Sequence, residues 1–285
     1  EVTPGIFFQG IVGMENFSEA TTIRQTDFAP KVSVLWSATE WANIYATYAQ
    51  GGKSGGFNAL SLKSDATRFG PESADTIEAG IKTQFWDDQA RFNIGVFRTE
   101  FENLQINVFN GFDNIVVNAP EALVQGIEAD LIVLTDFGMS AFASFAYLDA
   151  EYLSFPGGPC QTGSTLEGLL GANDGGCDLT GETLTNAPEY QGSLSVNQAL
   201  TFNVLPFDVI VGGDVLYQSD VELQTDLDPL DVQPAQWKFN ARVGLASRDL
   251  TYSLTVFVRN ITNEITRVAS SDVPLFTGAH YVTID

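Results

Sequence analysis

The sequence predicts an all-β chain, an antiparallel up-and-down fragment of a transmembrane β-barrel with about eleven strands. Three observations carry that expectation. Apolar and polar residues alternate with a period of two in segment after segment. The connections between these segments alternate short and long. Aromatic residues gather beside the short connections.

The strands are expected near 31–37, 43–50, 75–86, 90–108, 122–135, 138–153, 189–202, 206–219, 236–246, 250–260 and 279–285. In "WKFNARVGLAS", Trp237, Phe239, Ala241, Val243 and Leu245 alternate with Lys238, Asn240, Arg242, Gly244 and Ala246. "YSLTVFVRN" sets Tyr252, Leu254, Val256 and Val258 against Ser253, Thr255, Phe257 and Arg259. "DTIEAGIKTQF" and "GIEADLIVL" repeat the pattern, the second with Ile127, Ala129, Leu131 and Val133 opposite Glu128, Asp130 and Ile132. Successive side chains of a strand point to opposite faces, so each strand has one apolar and one polar face. Segment 90–108 alternates poorly from Phe97 to Phe101, and the sequence offers no reason for it. Residues 1–30 are expected to hold the tail of a preceding strand.

The connections choose the environment. The short ones are "SATEWA", "DDQA", "DFG", "NVLP" and "SRD"; the long ones cover roughly 51–74, 109–121, 154–188, 220–235 and 261–278. Long loops at one end and tight turns at the other are the habit of outer-membrane barrels, and strands of ten or so residues suit a tilted crossing. Trp36, Trp41, Trp86, Phe92, Phe137, Phe202, Phe207 and Tyr252 all lie within a few residues of a short turn, as one rim of an aromatic girdle would. On this reading Phe239, Val243, Leu254, Val256, Leu131 and Val133 face lipid. Lys238, Arg242, Arg259, Glu128 and Asp130 face the lumen.

Composition removes several functions. The net charge of −23, from 36 acidic and 13 basic side chains, argues against a nucleic-acid partner. No apolar run exceeds four residues, so no helix of this chain is expected to cross a membrane. One histidine, His280, and two cysteines leave no zinc site and no marked catalytic triad; His280 reads as an ordinary polar strand residue, and no metal, cofactor or catalytic residue is expected. The string "GGKSGG" at 51–56 imitates a phosphate loop. However, the first glycine of that motif would fall on Thr47, and no helical pattern follows Ser54. The acidic run "SDVELQTDLDPLD", with Asp220, Glu222, Asp226, Asp228 and Asp231, lacks EF-hand spacing. It reads as a solvated loop, with weak calcium binding as the alternative.

Beyond composition, the order of segments resembles a known family. "FAPKVSVLWSATEWANIYATYAQGGKSGGFN", "GPESADTIEAGIKTQFWDDQARFNIGVFRTEFENLQI", "VVNAPEALVQGIEADLIV", "SFAYLDAEYL", "TNAPEYQGSLSVN" and "FVRNITNEI" follow one another as in the barrels of TonB-dependent outer-membrane receptors. The resemblance runs from about Phe28 to about Thr266. It implies a 22-stranded barrel around a plug domain, in the outer membrane of a Gram-negative bacterium. It further implies active uptake of a scarce ligand, chiefly a ferric siderophore, driven by the inner-membrane TonB complex. The chain is expected to be the C-terminal half of such a barrel, without the plug, the TonB box or the usual C-terminal aromatic. Here "GGKSGGFN" falls where a strand leaves the membrane, with glycines for a sharp turn and Lys53 reaching ligand, lipopolysaccharide phosphate or water. The ligand and the residues that contact it are not named by the sequence.

Cys160 and Cys177, the only cysteines, lie in the longest loop, which is rich in Gly, Ser and Thr. An external loop passes through the oxidising periplasm, so the two are expected to form a disulfide that stiffens a lid. The rival readings are a small passive porin, a barrel enzyme, or a soluble β-rich binding module.

Overall fold

The computed structural model describes residues 22–58, 68–109, 114–160, 176–249, 251–273 and 280–284. Ten strands form one sheet: β1 (Lys31–Ser37), β2 (Ala42–Lys53), β5 (Glu72–Phe85), β6 (Ala90–Phe109), β7 (Asn114–Leu134), β8 (Met139–Ser154), β9 (Tyr190–Thr201), β10 (Phe207–Gln218), β13 (Gln236–Ser247) and β14 (Ser253–Val258). Their spatial order is their chain order, and every neighbouring pair is antiparallel. That is the up-and-down meander expected from the alternating connections. Short ribbons decorate the long-loop end: β3 (Gly56–Phe57) with β4 (Arg68–Phe69), β11 (Val221–Glu222) with β12 (Val232–Gln233), and β15 (Arg267–Asp272) with β16 (His280–Ile284).

Two expectations change. The strand read at 279–285 is not in the large sheet; His280–Ile284 pairs with Arg267–Asp272, inside what was read as a long loop. The connection read at 109–121 is mostly strand, because β6 and β7 stay paired up to Phe109 and Asn114. Pro120 disguises this continuation. It has no N–H for the ladder, and the pairing skips the Asn103–Pro120 position, where Asn103 takes a φ of 54°. The start of the chain, residues 1–21, lies outside the described residues, and 22–30 contain no strand.

Directly opposed residues share a face, so the register assigns every side chain. Val256 opposes Val243, which opposes Val211; across the sheet Val133 opposes Ala141. Phe239, Val243, Leu254, Val256, Leu131 and Val133 therefore share one face. Lys238, Arg242, Glu128 and Asp130 share the other, and Arg259, just past β14, lies over the ring of Phe257 on that same face, 4.9 Å from its centre. The apolar face stands open to its surroundings, with Val243 49% and Val256 61% exposed, as a surface made for lipid does. Trp36, Trp41, Trp86, Phe137, Phe202 and Tyr252 are likewise exposed around the short turns.

A second aromatic row, not expected from the sequence, closes the other end of this apolar face. Tyr147 opposes Tyr190, and Tyr217 opposes Trp237; their rings lie 5.3 Å and 4.5 Å apart. Outward positions of β10 run from Phe207 to Tyr217. At about 3.3 Å per residue and a tilt of roughly 40°, they span about 25 Å along the membrane normal, the height of an outer-membrane apolar band.

Candidate functional site

The polar face is the inner one, and it is organised around glycines. The Tyr45 ring lies flat across Gly80 and Gly95; a Cβ on Gly80 would meet it at 2.6 Å. This posture brings the Tyr45 hydroxyl within 2.5 Å of Glu78, to which it donates, and places Lys82 Nζ 5.1 Å above the ring. Arg242 crosses Gly212 in the same way. Its guanidinium donates to Asp214 at 2.6 Å, Asn197 at 2.7 Å and Ser195 at 3.2 Å, three partners on two neighbouring strands. Asn93 donates to Asp130 at 2.9 Å. Tyr45, Glu78, Lys82 and Asn93 border a recess of about 420 Å3, and a second of about 650 Å3 is edged by Lys238; Glu128 and Asp130 edge both. The wall is mixed rather than uniformly polar, since Phe142, Leu216 and Phe257 also stand on it, exposed.

Above the second aromatic row the faces exchange character. On β6, Phe92, Ile94 and Val96 point outward below the row, whereas Arg98 and Glu100 point outward above it. There Arg98 binds Glu100 at 2.7 Å and Gln125 at 3.0 Å. Inward, Phe101 packs against a buried cluster of Leu104, Ala119, Ala122, Tyr152, Phe155 and Leu179. The poor alternation between Phe97 and Phe101 is this changeover: outside becomes wet, inside becomes dry. Tyr152 is fully enclosed, and burial pushes its phenol up to about 12.

Cys160 and Cys177 are bonded to each other, and a backbone bridge from Cys177 to Gly158 flanks the bond. Cys177 rests against the buried cluster, so the disulfide closes a segment whose base is anchored in packed apolar residues. Their spacing placed them in one loop; nothing in it marked Tyr152, Phe155 and Leu179 as the floor beneath.

The acidic run is structural. Asp228 accepts from the backbone N–H of Leu230 and caps a single 3-10 turn at Pro229–Asp231. Asp231, fully buried, accepts from Ser270 Oγ and faces His280 Nδ1 at 3.3 Å, while His280 Nε2 lies 3.5 Å from Asp228. His280 is thus a tie between two loops rather than an ordinary strand residue. Burial first, then Asp220, Asp231, Asp228 and Glu182, raises the Glu222 carboxyl above the usual range. Among the described residues no three His, Cys, Asp or Glu side chains form a metal-ligand group.

Lys53 and the glycines before it belong to β2, not to a turn. Lys53 opposes Glu72 and pairs with it at 3.1 Å. Gly55 is required by close approach: a Cβ there would lie 2.6 Å from the Phe69 carbonyl.

A meander with an apolar band outside, a mixed polar wall inside and loops gathered at one end is the wall of an outer-membrane type β-barrel. Residues 10–263 match the family model of the TonB-dependent receptor-like β-barrel, and the chain belongs to that family. It is 24% identical over 220 residues to the probable TonB-dependent siderophore receptor PiuA of Acinetobacter baumannii, covering 75% of this chain and 27% of that protein. The ferric yersiniabactin uptake receptor FyuA of Yersinia pestis shares the fold with a TM-score of 0.70 at 17% identity, over 90% of this chain and 35% of its own. The ferripyoverdine receptor of the Pseudomonas aeruginosa outer membrane, solved with ferripyoverdine bound, gives 0.62 at 15% identity, over 93% and 32%. The chain therefore spans about a quarter to a third of the length of these proteins.

Proposed function

We propose that this chain is the C-terminal half of the barrel wall of an outer-membrane receptor that takes up a ferric siderophore or similar iron complex. The family match is the observation that carries the reading. The named relatives bind or import iron chelates, and the two-rimmed apolar band suits an outer membrane. The mixed inner wall suits coverage by a folded plug domain supplied by the rest of the receptor. Through that domain the TonB complex would energise transport. Among the described residues the sheet ends in two open strands, β1 and β14, and unpaired backbone groups are costly in hydrocarbon, so the described wall by itself would not transport. The Cys160–Cys177 bridge would stiffen an external segment near the ligand entrance.

The test is uptake of radiolabelled iron by iron-starved cells expressing the full-length receptor, offered a panel of ferric siderophores with and without a functional TonB complex. TonB-dependent accumulation of one or more chelates is expected. TonB-independent passage of many small solutes would replace the reading with that of a passive porin.

A further inference from the structure

We infer that the described outer segments above the second aromatic row form one cooperative cap, hinged on the β6–β7 hairpin, with Leu227 as its keystone.

No segment of this cap has a core of its own. Residues 176–184 contribute Leu179 to the buried cluster, β6 and β7 contribute Leu104, Ala119 and Ala122, and the half-buried Leu184 and Leu227 pack against it from 176–184 and 220–233. So few apolar side chains do not hold a loop in place alone; 176–184 and 220–233 are ordered by sharing the cluster with β6 and β7, and the β15–β16 ribbon joins them through hydrogen bonds to 220–233. Hydrogen bonds lock the same segments pairwise. Asn186 N–H donates to the Glu222 carbonyl at 2.8 Å, and Thr225 Oγ1 donates to the Asn107 carbonyl at 3.4 Å. Gln224 donates to the Ser270 carbonyl. Arg267 donates through its backbone N–H to Gln233 Oε1 at 2.5 Å and through Nη1 to the Val232 carbonyl at 2.9 Å. The 220–233 segment is common to all these ties. It touches the stretch after Cys177 on one side, at Asn186, the β15–β16 ribbon on another and the β6 hairpin arm beneath.

Leu227 carries the second observation. Its φ is 54°, a left-handed backbone that a bulky L-residue adopts only where its surroundings impose it. Every other described non-glycine residue with positive φ is Asn, Asp or Trp86 in the β5–β6 turn. A glycine or asparagine would suit that backbone better. A leucine there makes sense through its side chain, which packs on the shared cluster. The cap therefore opens as a whole or not at all, and entry of any ligand on this side of the mouth is governed by one equilibrium rather than by separate loop motions. This holds whichever ligand the receptor takes.

Amide hydrogen exchange of the full-length receptor in detergent tests it. In the unaltered protein, the bonded amides of Leu179, Leu184, Leu223 and Asp231 should converge on one opening equilibrium as denaturant is raised. Leu227→Ala should then speed exchange by a common factor, roughly tenfold or more, in 176–184, 221–233 and 267–272 together, with β9 and β10 unchanged. Leu227→Gly separates packing from backbone strain, and it should also speed all three segments. Separate opening equilibria in the unaltered protein, acceleration confined to 221–233, or slowed exchange in Leu227→Gly would each overturn the inference.

Discussion

Two lengths of the same strand, β6, obey opposite rules. From Arg91 to Val96 the outward residues are Phe92, Ile94 and Val96 and the inward ones Arg91 and Asn93. From Arg98 to Phe101 the outward residues are Arg98 and Glu100 and the inward Phe101 packs against a buried cluster. The backbone is continuous through the change and keeps one register with β5. What differs is the solvent. In the membrane band lipid lies outside and the interior is wet, so burial in the usual sense is absent and exposed valines are at home. Above the band water lies outside, and the chain builds a small conventional core on the inner side. The band draws its stability from lipid and from closed hydrogen-bond ladders, the cap from packed side chains and a disulfide.

Charge placed in the band should separate the two regions most sharply. Val256→Arg puts a guanidinium on the lipid face and is expected to cost about 2–4 kcal/mol in folding into vesicles, while Thr255→Arg, one residue away on the inner face, should cost little. Equal losses, measured by vesicle folding titrations of the full receptor, would break the assignment of faces. Cys160→Ser acts on the cap alone. Opening a loop with a sequence separation of 17 removes ~3 kcal/mol in the chain-entropy model, so protease cleavage should appear within the cap, in 155–184 and 220–233 alike, while the band stays resistant. Cleavage unchanged from the parent would show that the packed floor suffices.

Alkaline titration probes the cap's core. The Tyr152 phenol ionises near 10 when unfolded and at about 12 in the folded cap. Its contribution, at most about 3 kcal/mol, is complete below pH 10 and lost as pH rises through about 12. Cap exchange should accelerate over that window in the parent and much less in Tyr152→Phe. The smallest effect is expected inside the band. Asp214→Asn removes the charge facing Arg242 but leaves Asn197 and Ser195 as acceptors, for a loss of about 1–2 kcal/mol in thermal unfolding with cap exchange unchanged. A cap that loosens with it would mean the two regions are coupled.

Period-two alternation sufficed to locate the ten strands of the sheet, their facing and the end at which the short turns lie, because a strand in a membrane meets one solvent on each face and its sequence records both. Val243 and Arg242 are adjacent residues with opposite destinations, and that is visible without coordinates. The upper aromatic row was also written in the sequence, at Tyr147, Tyr190, Tyr217 and Trp237, but only counting outward positions from the short turns exposes it. What the tertiary structure alone decided lies where one face no longer meets one solvent. Phe101, Tyr152, Leu179 and Leu227 come from four distant segments, and no local pattern says that they meet. Nor does the acidic run announce that Asp228 and Asp231 hold His280. Contacts among loops depend on how the hairpins beneath them are spaced by the sheet, and that spacing is a property of the assembled wall rather than of any stretch of chain.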